Sequence, residues 1–233
     1  LGIRVVLVRG VDPQLDEVTA KLGVQTRMVQ GRRVTDASAI DATSMVLNGL
    51  INTQLVALCR SFGISAIGIG GIDGGLVQAH RRAPGTLASG EVVDYGQVGD
   101  IDGIDGSVVT RLLDSGFLPV VSPLSCDNSG QLRNINADTV AASIGGALVA
   151  EKLILCTGAP GILERVDDPQ SLISYTDLAG LHRLREKGAI TDGMLPKSSA
   201  IEAAIRGGVR RVHVISYAET DSLLAEIFTN EGK

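Results

Sequence analysis

Four short segments carry residues whose types and spacing could do chemistry. Val8-Arg9-Gly10-Val11-Asp12-Pro13 joins an apolar run to a helix start. Backbone N–H groups there favour an anion, although an ordinary strand-to-helix turn reads the same way. Gly68-Ile69-Gly70-Gly71-Ile72-Asp73-Gly74-Gly75 is glycine-rich but fails the dinucleotide fingerprint, because Asp73 stands where the third glycine belongs. No GKS or GKT phosphate loop occurs, and a turn between strands accounts for the segment. Asn134-Ile135-Asn136-Ala137-Asp138 enters an apolar helix. Asp138 could cap that helix, but one cap does not need two further amides, and these suit a small polar ligand. In Thr191-Asp192-Gly193-Met194-Leu195-Pro196-Lys197 the lysine falls in the first turn of a helix. A cation there opposes the helix dipole at a cost of up to about 1 kcal/mol. Such a local violation suits phosphate handling, and a surface lysine is the plain alternative.

Composition bounds what these segments can serve. The chain has 233 residues, a net charge of −5, 44% hydrophobic and 20% charged residues. That is one large domain or two packed lobes, and it excludes an intrinsically disordered chain. Acids outnumber bases 26 to 21, with three Phe, three Tyr and no Trp, so nucleic acid is not an expected partner. No apolar run approaches the ~18–20 residues of a spanning helix, so no membrane is expected either. Cys59, Cys126 and Cys156 are widely spaced beside apolar runs and read as small buried hydrophobes of a reducing cytoplasm. With His80, His182 and His213 equally scattered, no zinc site can be built.

Strands and helices must position these segments. Val5–Val8, Val120–Val121, Leu153–Leu155 and Val212–Ile215 are short, continuous and β-branched, as in strands covered on both faces. Ile40, Leu47, Ile51, Leu55, Leu58 and Phe62 share one face of a long helix capped by Asp36 and followed by Gly63. Further helices start at Asp12-Pro13, Asp105, Asp138 and Pro196, and a last one carries Leu223 to Phe228. Thr26–Thr35 reads as a hairpin turning at Gln30-Gly31, and Gly68–Asp105 as a hairpin region. The alternation predicts an α/β fold.

Taken in order, the motifs resemble the amino-acid kinase family, and within it the branch acting on N-acetyl-L-glutamate. Gly31-Arg32-Arg33-Val34-Thr35-Asp36 is similar to the family's G-x-R-V-T-[DP], and Asn134 to Asp138 to its N-x-N-A-D. Gly193-Met194-Leu195-Pro196-Lys197 is similar to G-M-x-x-K, and Glu226 to Gly232 to E-[IL]-F-T-x-E-G. The resemblance covers essentially the whole chain. It implies a three-layer αβα open sandwich with a mainly parallel central sheet, a single amino-acid kinase domain over 1–233. Residues 1–125 would be the amino-acid-binding and dimerisation lobe, and 126–233 the nucleotide-binding lobe.

The implied activity is ATP-dependent phosphorylation of the side-chain carboxylate of N-acetyl-L-glutamate to an acyl phosphate, in arginine biosynthesis. By resemblance, Lys197 neutralises the transferring group, Asp138 orients the catalytic lysines, and Arg33 forks onto the substrate's α-carboxylate. Asn134 and Gly10 complete the substrate site. Thr157, Gly161, Ile162, Ala189, Ile190 and Thr191 would lie against ATP. Magnesium would ride on the nucleotide, with no protein metal cage. A cytoplasmic homodimer or larger oligomer is implied, with the Ile40–Phe62 helix a candidate interface and arginine a possible effector.

Three departures from the pattern are visible. The family's K-[LV]-G-G strand does not occur in these residues, and poor phosphoryl transfer is expected of the chain as it stands. Its H-G-G-G-P loop reads Arg9-Gly10-Val11-Asp12-Pro13, and an Asp expected near adenosine is Gly158. Leu1 to Val6 and Gly208 to Tyr217 look more like the kinase-fold domain of N-acetylglutamate synthase. The alternative is therefore a non-catalytic, arginine-sensing domain. A kinase for another acidic substrate is a third reading.

Overall fold

The β-branched runs meet as neighbours. β1 (Leu7–Val8) and β4 (Ala66–Gly70) both pair in parallel with β9 (Leu118–Ser122), in the order β1-β9-β4. These assignments come from a computed structural model that describes residues 2–228 except 11, 25, 26, 30, 31, 88, 166 and 192. Helices lie on both sides of the parallel sheet, as the α/β expectation requires.

The chain divides into two compact units, Leu1–Val140 and Ala141–Lys233. In the first, α1 (Asp12–Lys21) follows β1, and an antiparallel hairpin pairs β2 (Arg27–Val29) with β3 (Arg32–Val34). The expected turn at Gln30-Gly31 lies outside the described residues. α2 (Ala37–Ser44), a π-helical segment (Met45–Ile51) and α3 (Asn52–Ser61) run on as one helix. Asp36 caps it by accepting from the Ala39 N–H at 2.8 Å and the Ser38 N–H at 2.9 Å. The Ala39 N–H and the Ser38 hydroxyl hold the Asp36 carboxyl below its ordinary value. Gly63 ends the helix with φ +71°.

This 25-residue helix is long and apolar enough to cross a membrane, contrary to the reading that no segment approaches that length. The reading missed it because Asn48, Asn52 and Gly49 interrupt the apolar run. Its Ile40, Val46, Leu47 and Ile51 are buried with Leu15 and Leu124, as expected of a core helix.

The glycine-rich segment is a turn between strands. β4 leads through a short 3-10 turn (Asp73–Gly75) into β5 (Val77–Arg81), which pairs antiparallel with β8 (Gly99–Ile104). β6 (Gly85–Thr86) and β7 (Val92–Val93) form a small hairpin between them. α4 (Ser107–Asp114) follows, with Asp105 accepting from the Ser107 N–H at 3.0 Å.

The expected lobe boundary after residue 125 falls inside a strand. β10 (Leu124–Cys126) pairs with β5 on one side and with β11 (Leu132–Asn134) on the other. That pairing keeps residues 126–140 with the first unit, and the division falls within α5 (Ala137–Ala147).

In the second unit β12 (Lys152–Thr157) and β13 (Arg211–Ser216) run parallel over six residue pairs. α6 (Leu178–Glu186), α7 (Met194–Arg206) and α8 (Ser222–Phe228) complete it. α7 starts two residues before Pro196. Its Ala200 and Ala204 pack on Ala142 and Val209, where small side chains allow close approach. Cys156 is exposed, and Cys59 and Cys126 are half-buried, against the expectation of burial. On β12, Leu155 takes the buried face, so strand alternation turns Cys156 outward.

Candidate active-site residues

The candidate substrate residues of the first unit converge through one buried threonine. Thr35 follows β3 directly and is fully buried. Its N–H donates to the Tyr95 carbonyl at 3.1 Å, and its own carbonyl accepts from the Gln97 N–H at 2.6 Å. Its hydroxyl accepts from the Asn134 side-chain amide at 3.1 Å. The Asn134 backbone N–H donates to the Gln97 carbonyl at 2.9 Å. Thr35, two residues after Arg33, is thus tied to Asn134 by a continuous set of hydrogen bonds. Gly96 makes the approach possible: it has φ +69°, and a Cβ there would stand 2.3 Å from the Thr35 carbonyl oxygen.

Arg33 is buried and donates to Asp16 of α1 at 2.7 Å. Arg133, beside Asn134, is also buried and donates to Asp127 and Gln97. The Ser129 hydroxyl and Arg133 hold the Asp127 carboxyl well below the usual carboxylate range. These bonds pin the β10–β11 hairpin that presents Asn134. Arg133 was missed in the sequence, where it stands one residue before the polar cluster.

Gly10 follows β1, whose pairing continues as the Arg9 N–H donates to the Val121 carbonyl at 3.1 Å. A Cβ on Gly10 would meet the Ala137 Cβ at 3.4 Å, so this turn lies against the start of α5. The Val11 departure falls outside the described residues, as does the Asp12 side chain. The cap of α5 is Asn136, which accepts from the Thr139 N–H at 3.0 Å. Asp138 is therefore not the cap it could have been; it sits half-buried within the first turn.

The second unit gathers the candidate nucleotide segments. Thr157 ends β12, accepting from the Tyr217 N–H at 3.0 Å. Gly158 lies beneath Tyr217, where a Cβ would stand 2.7 Å from the tyrosine hydroxyl. Gly161 has φ +153° and would place a Cβ 2.7 Å from Leu172. Ile162 and Ile190 share one core cluster with Leu181 and Leu184, and Ala189 packs against it. This brings Ile162 together with Ala189 and Ile190. It also shows that the Ile162 and Ile190 side chains serve the core, and the Ile162 carbonyl accepts from the Ile173 N–H at 2.9 Å. Thr191 is exposed and accepts from the Met194 N–H at 2.9 Å.

Lys197 is 8% exposed, not the surface lysine of the plain reading. Gly193, which precedes α7, makes no side-chain cap hydrogen bond, and the first N–H of the helix, that of Met194, donates to the Thr191 carbonyl. A buried ammonium beside such a helix start suits an anionic ligand rather than local stability. Glu226, of the last motif, is buried on α8 with its carboxylate against His213 Nδ1 of β13, a structural role; residues 229–232 lie outside the described residues.

Parallel strands flanked by helices make this an α/β protein of the amino-acid kinase fold. The chain belongs to the amino acid kinase family, which matches residues 1–216. It is 43% identical to acetylglutamate kinase of Myxococcus xanthus, over 99% of this chain and 77% of that one. It is 41% identical to acetylglutamate kinase of Archaeoglobus fulgidus, over 100% and 81%. N-acetylglutamate synthase from Neisseria gonorrhoeae, complexed with coenzyme A and N-acetyl-glutamate, is similar in structure. Its TM-score is 0.81 at 28% identity, over 99% of this chain and 51% of that one. The same synthase complexed with coenzyme A and L-arginine gives a TM-score of 0.74.

Proposed function

We propose that the chain transfers the γ-phosphoryl group of ATP to the side-chain carboxylate of N-acetyl-L-glutamate, a step of arginine biosynthesis. The observation that carries this reading is the 43% identity to an acetylglutamate kinase along 99% of the chain. A carboxylate oxygen attacks the γ-phosphorus, the bond to the β-phosphate oxygen breaks, and ADP leaves as the acyl phosphate forms. The protein's part is positioning and charge neutralisation.

Arg33 takes the substrate's α-carboxylate, with Asn134 and Gly10 beside it. Lys197 neutralises the transferring oxygens, and Asp138 orients lysine. Thr157, Gly161, Ile162, Ala189, Ile190 and Thr191 border the nucleotide. The start of α7, which has no side-chain cap, and the buried Lys197 suit its phosphates. Magnesium would arrive on those phosphates. In this reading the reaction runs in the cytoplasm, in a homodimer or larger assembly. Met45, Leu50 and Leu58, exposed on the Ala37–Ser61 helix, support such an assembly.

A second reading, a non-catalytic arginine-sensing domain, is favoured by the likeness to the arginine-bound synthase and by Gly158. Isothermal titration with a non-hydrolysable ATP analogue, N-acetylglutamate and arginine separates the two. A kinase binds the first two; a sensing domain binds arginine and ignores nucleotide.

A further inference from the structure

Asn134 stands at the end of a strand that is weakly held by its own sheet. β11 has three residues and lies at the edge of the order β11-β10-β5-β8. It pairs with β10 along one flank, and a strand so short and so placed opens easily. What steadies its end is Gln97. The Asn134 N–H donates to the Gln97 carbonyl, and the Gln97 N–H donates to the Thr35 carbonyl. Gln97 therefore lies between the two, and its placement sets how far Asn134 stands from Thr35. The Asn134 amide reaches the Thr35 hydroxyl at 3.1 Å, near the upper limit for an N–H···O bond. Retreat of β11 by about half an ångström would break it.

Arg133 holds Gln97 from behind. Side chains alternate along a strand, so Arg133 leaves β11 on the face opposite Asn134. Its guanidinium is buried, with Nη1 donating to the Gln97 side-chain oxygen and Nη2 to the Asp127 carboxylate. Gln97 is thus fastened to residues 133 and 134 at two points, side chain and main chain. Gly99 leaves the room for this: a Cβ there would stand 2.8 Å from the Arg133 Cβ. The arrangement is not the most stable filling of that space. Arg133 Nε is buried with no hydrogen-bond partner among the described residues, a loss an apolar side chain would avoid. Directed bonds to two fixed acceptors define a geometry that apolar contact would not.

We propose that Arg133 is a positioning residue for the acyl amino acid. Acting through Gln97, it keeps Asn134 against Thr35 and in place for the ligand, which Arg133 itself does not touch. This rests on the reading of Asn134 as a substrate residue. The candidate nucleotide segments belong to the second unit, so loss of the tie weakens the acyl amino acid and spares ATP.

The test is isothermal titration of the full chain with N-acetyl-L-glutamate and with a non-hydrolysable ATP analogue, which requires no turnover. Arg133→Met fills the space and removes both bonds. It is expected to weaken N-acetylglutamate by about tenfold or more and to leave the ATP analogue within about twofold. Gln97→Met removes one acceptor and keeps the pair of Arg133 with Asp127. It is expected to reproduce the selective loss, and it decides the matter if Arg133→Met does not fold. In an Asn134→Ala background, Gln97→Met is expected to add less than about twofold, because the residue being positioned is gone. Native N-acetylglutamate affinity in Gln97→Met overturns the proposal. So does equal weakening of both ligands, which a general loss of folded chain would produce, or an undiminished further loss in the Asn134→Ala background. Asn134→Ala alone tests the underlying reading: it must weaken N-acetylglutamate. If it does not, Asn134 is no substrate residue, whatever Arg133 does.

Discussion

The Asn134 side-chain amide donates to the Thr35 hydroxyl across 99 residues of chain, at 3.1 Å. Thr35→Val keeps the shape and removes that acceptor, leaving a half-buried amide N–H without its partner. A loss of about 1–3 kcal/mol of stability is expected by chemical denaturation. Because the bond orients a proposed substrate residue, KM for N-acetylglutamate should rise more than KM for ATP. A purely structural threonine would leave the two KM values in their native ratio.

Gly96 has no room for a side chain. Alanine there would carry a left-handed backbone conformation and a Cβ 2.3 Å from the Thr35 carbonyl oxygen, a backbone atom that cannot rotate away. Gly96→Ala should cost about 3 kcal/mol or more. Gly90→Ala is the control: it also has positive φ (+85°), but none of the described residues lies within 4 Å of its Cβ position, so the conformational cost dominates. Equal urea midpoints for the two variants would contradict the clash.

Lys197 is buried, so its replacement must fill space. Lys197→Met should lower kcat by about 100-fold or more, as expected of a group acting on transition-state charge. Affinity for an ATP analogue should stay within about threefold. An unaltered kcat would remove Lys197 from the reaction.

His213 gives the second unit an acid sensitivity. Burial pushes its imidazole below the ordinary 6.5, against the pull of the Glu226 carboxylate; Lys152 and Arg211 add to the lowering. Nδ1 meets Glu226, and Nε2 is buried with no partner among the described residues, so a second ring proton would find no acceptor among them. A depressed folded pKa favours the neutral ring. The contribution is therefore present above about pH 6.5 and is lost as pH falls through the folded value. Thermal unfolding followed from pH 8 to 5 should show a decline that His213→Gln flattens. Identical slopes for the two chains would refute this.

Caps and stops were legible because they are local. Asp36 and Asp105 accept from N–H groups two or three residues on, and Gly23, Gly63 and Gly116 take positive φ just past helix ends. The choice of Asn136 over Asp138 as a cap was not legible, since both side chains suit the role and only backbone geometry decides between them. Nor was the pairing of β10 with β5, which joins Cys126 to Gln78 and moves the division of the chain to Val140. Of the site, the polar residue types announced themselves. The burial of Lys197, Ile162 and Ile190 did not, because burial depends on helices and loops distant in sequence. Asp16 carried no signal at all, being one acid among several on an amphipathic helix.

The π-helical segment Met45–Ile51 lets the long helix lose one residue without losing its phase. Asn52 donates its N–H to the Leu47 carbonyl, five residues back, so one turn carries a surplus residue. Removing a residue between 45 and 51 would restore regular winding and leave the faces on either side in register. Asn52, whose amide grips the Ile69 and Val120 carbonyls at 3.2 Å each, and Ile40 would both keep their seats. A deletion in the α-helical parts has no such slack and would turn one part of the helix by about 100° against the other. Single-residue length variation within this helix among homologous chains should therefore gather in this stretch.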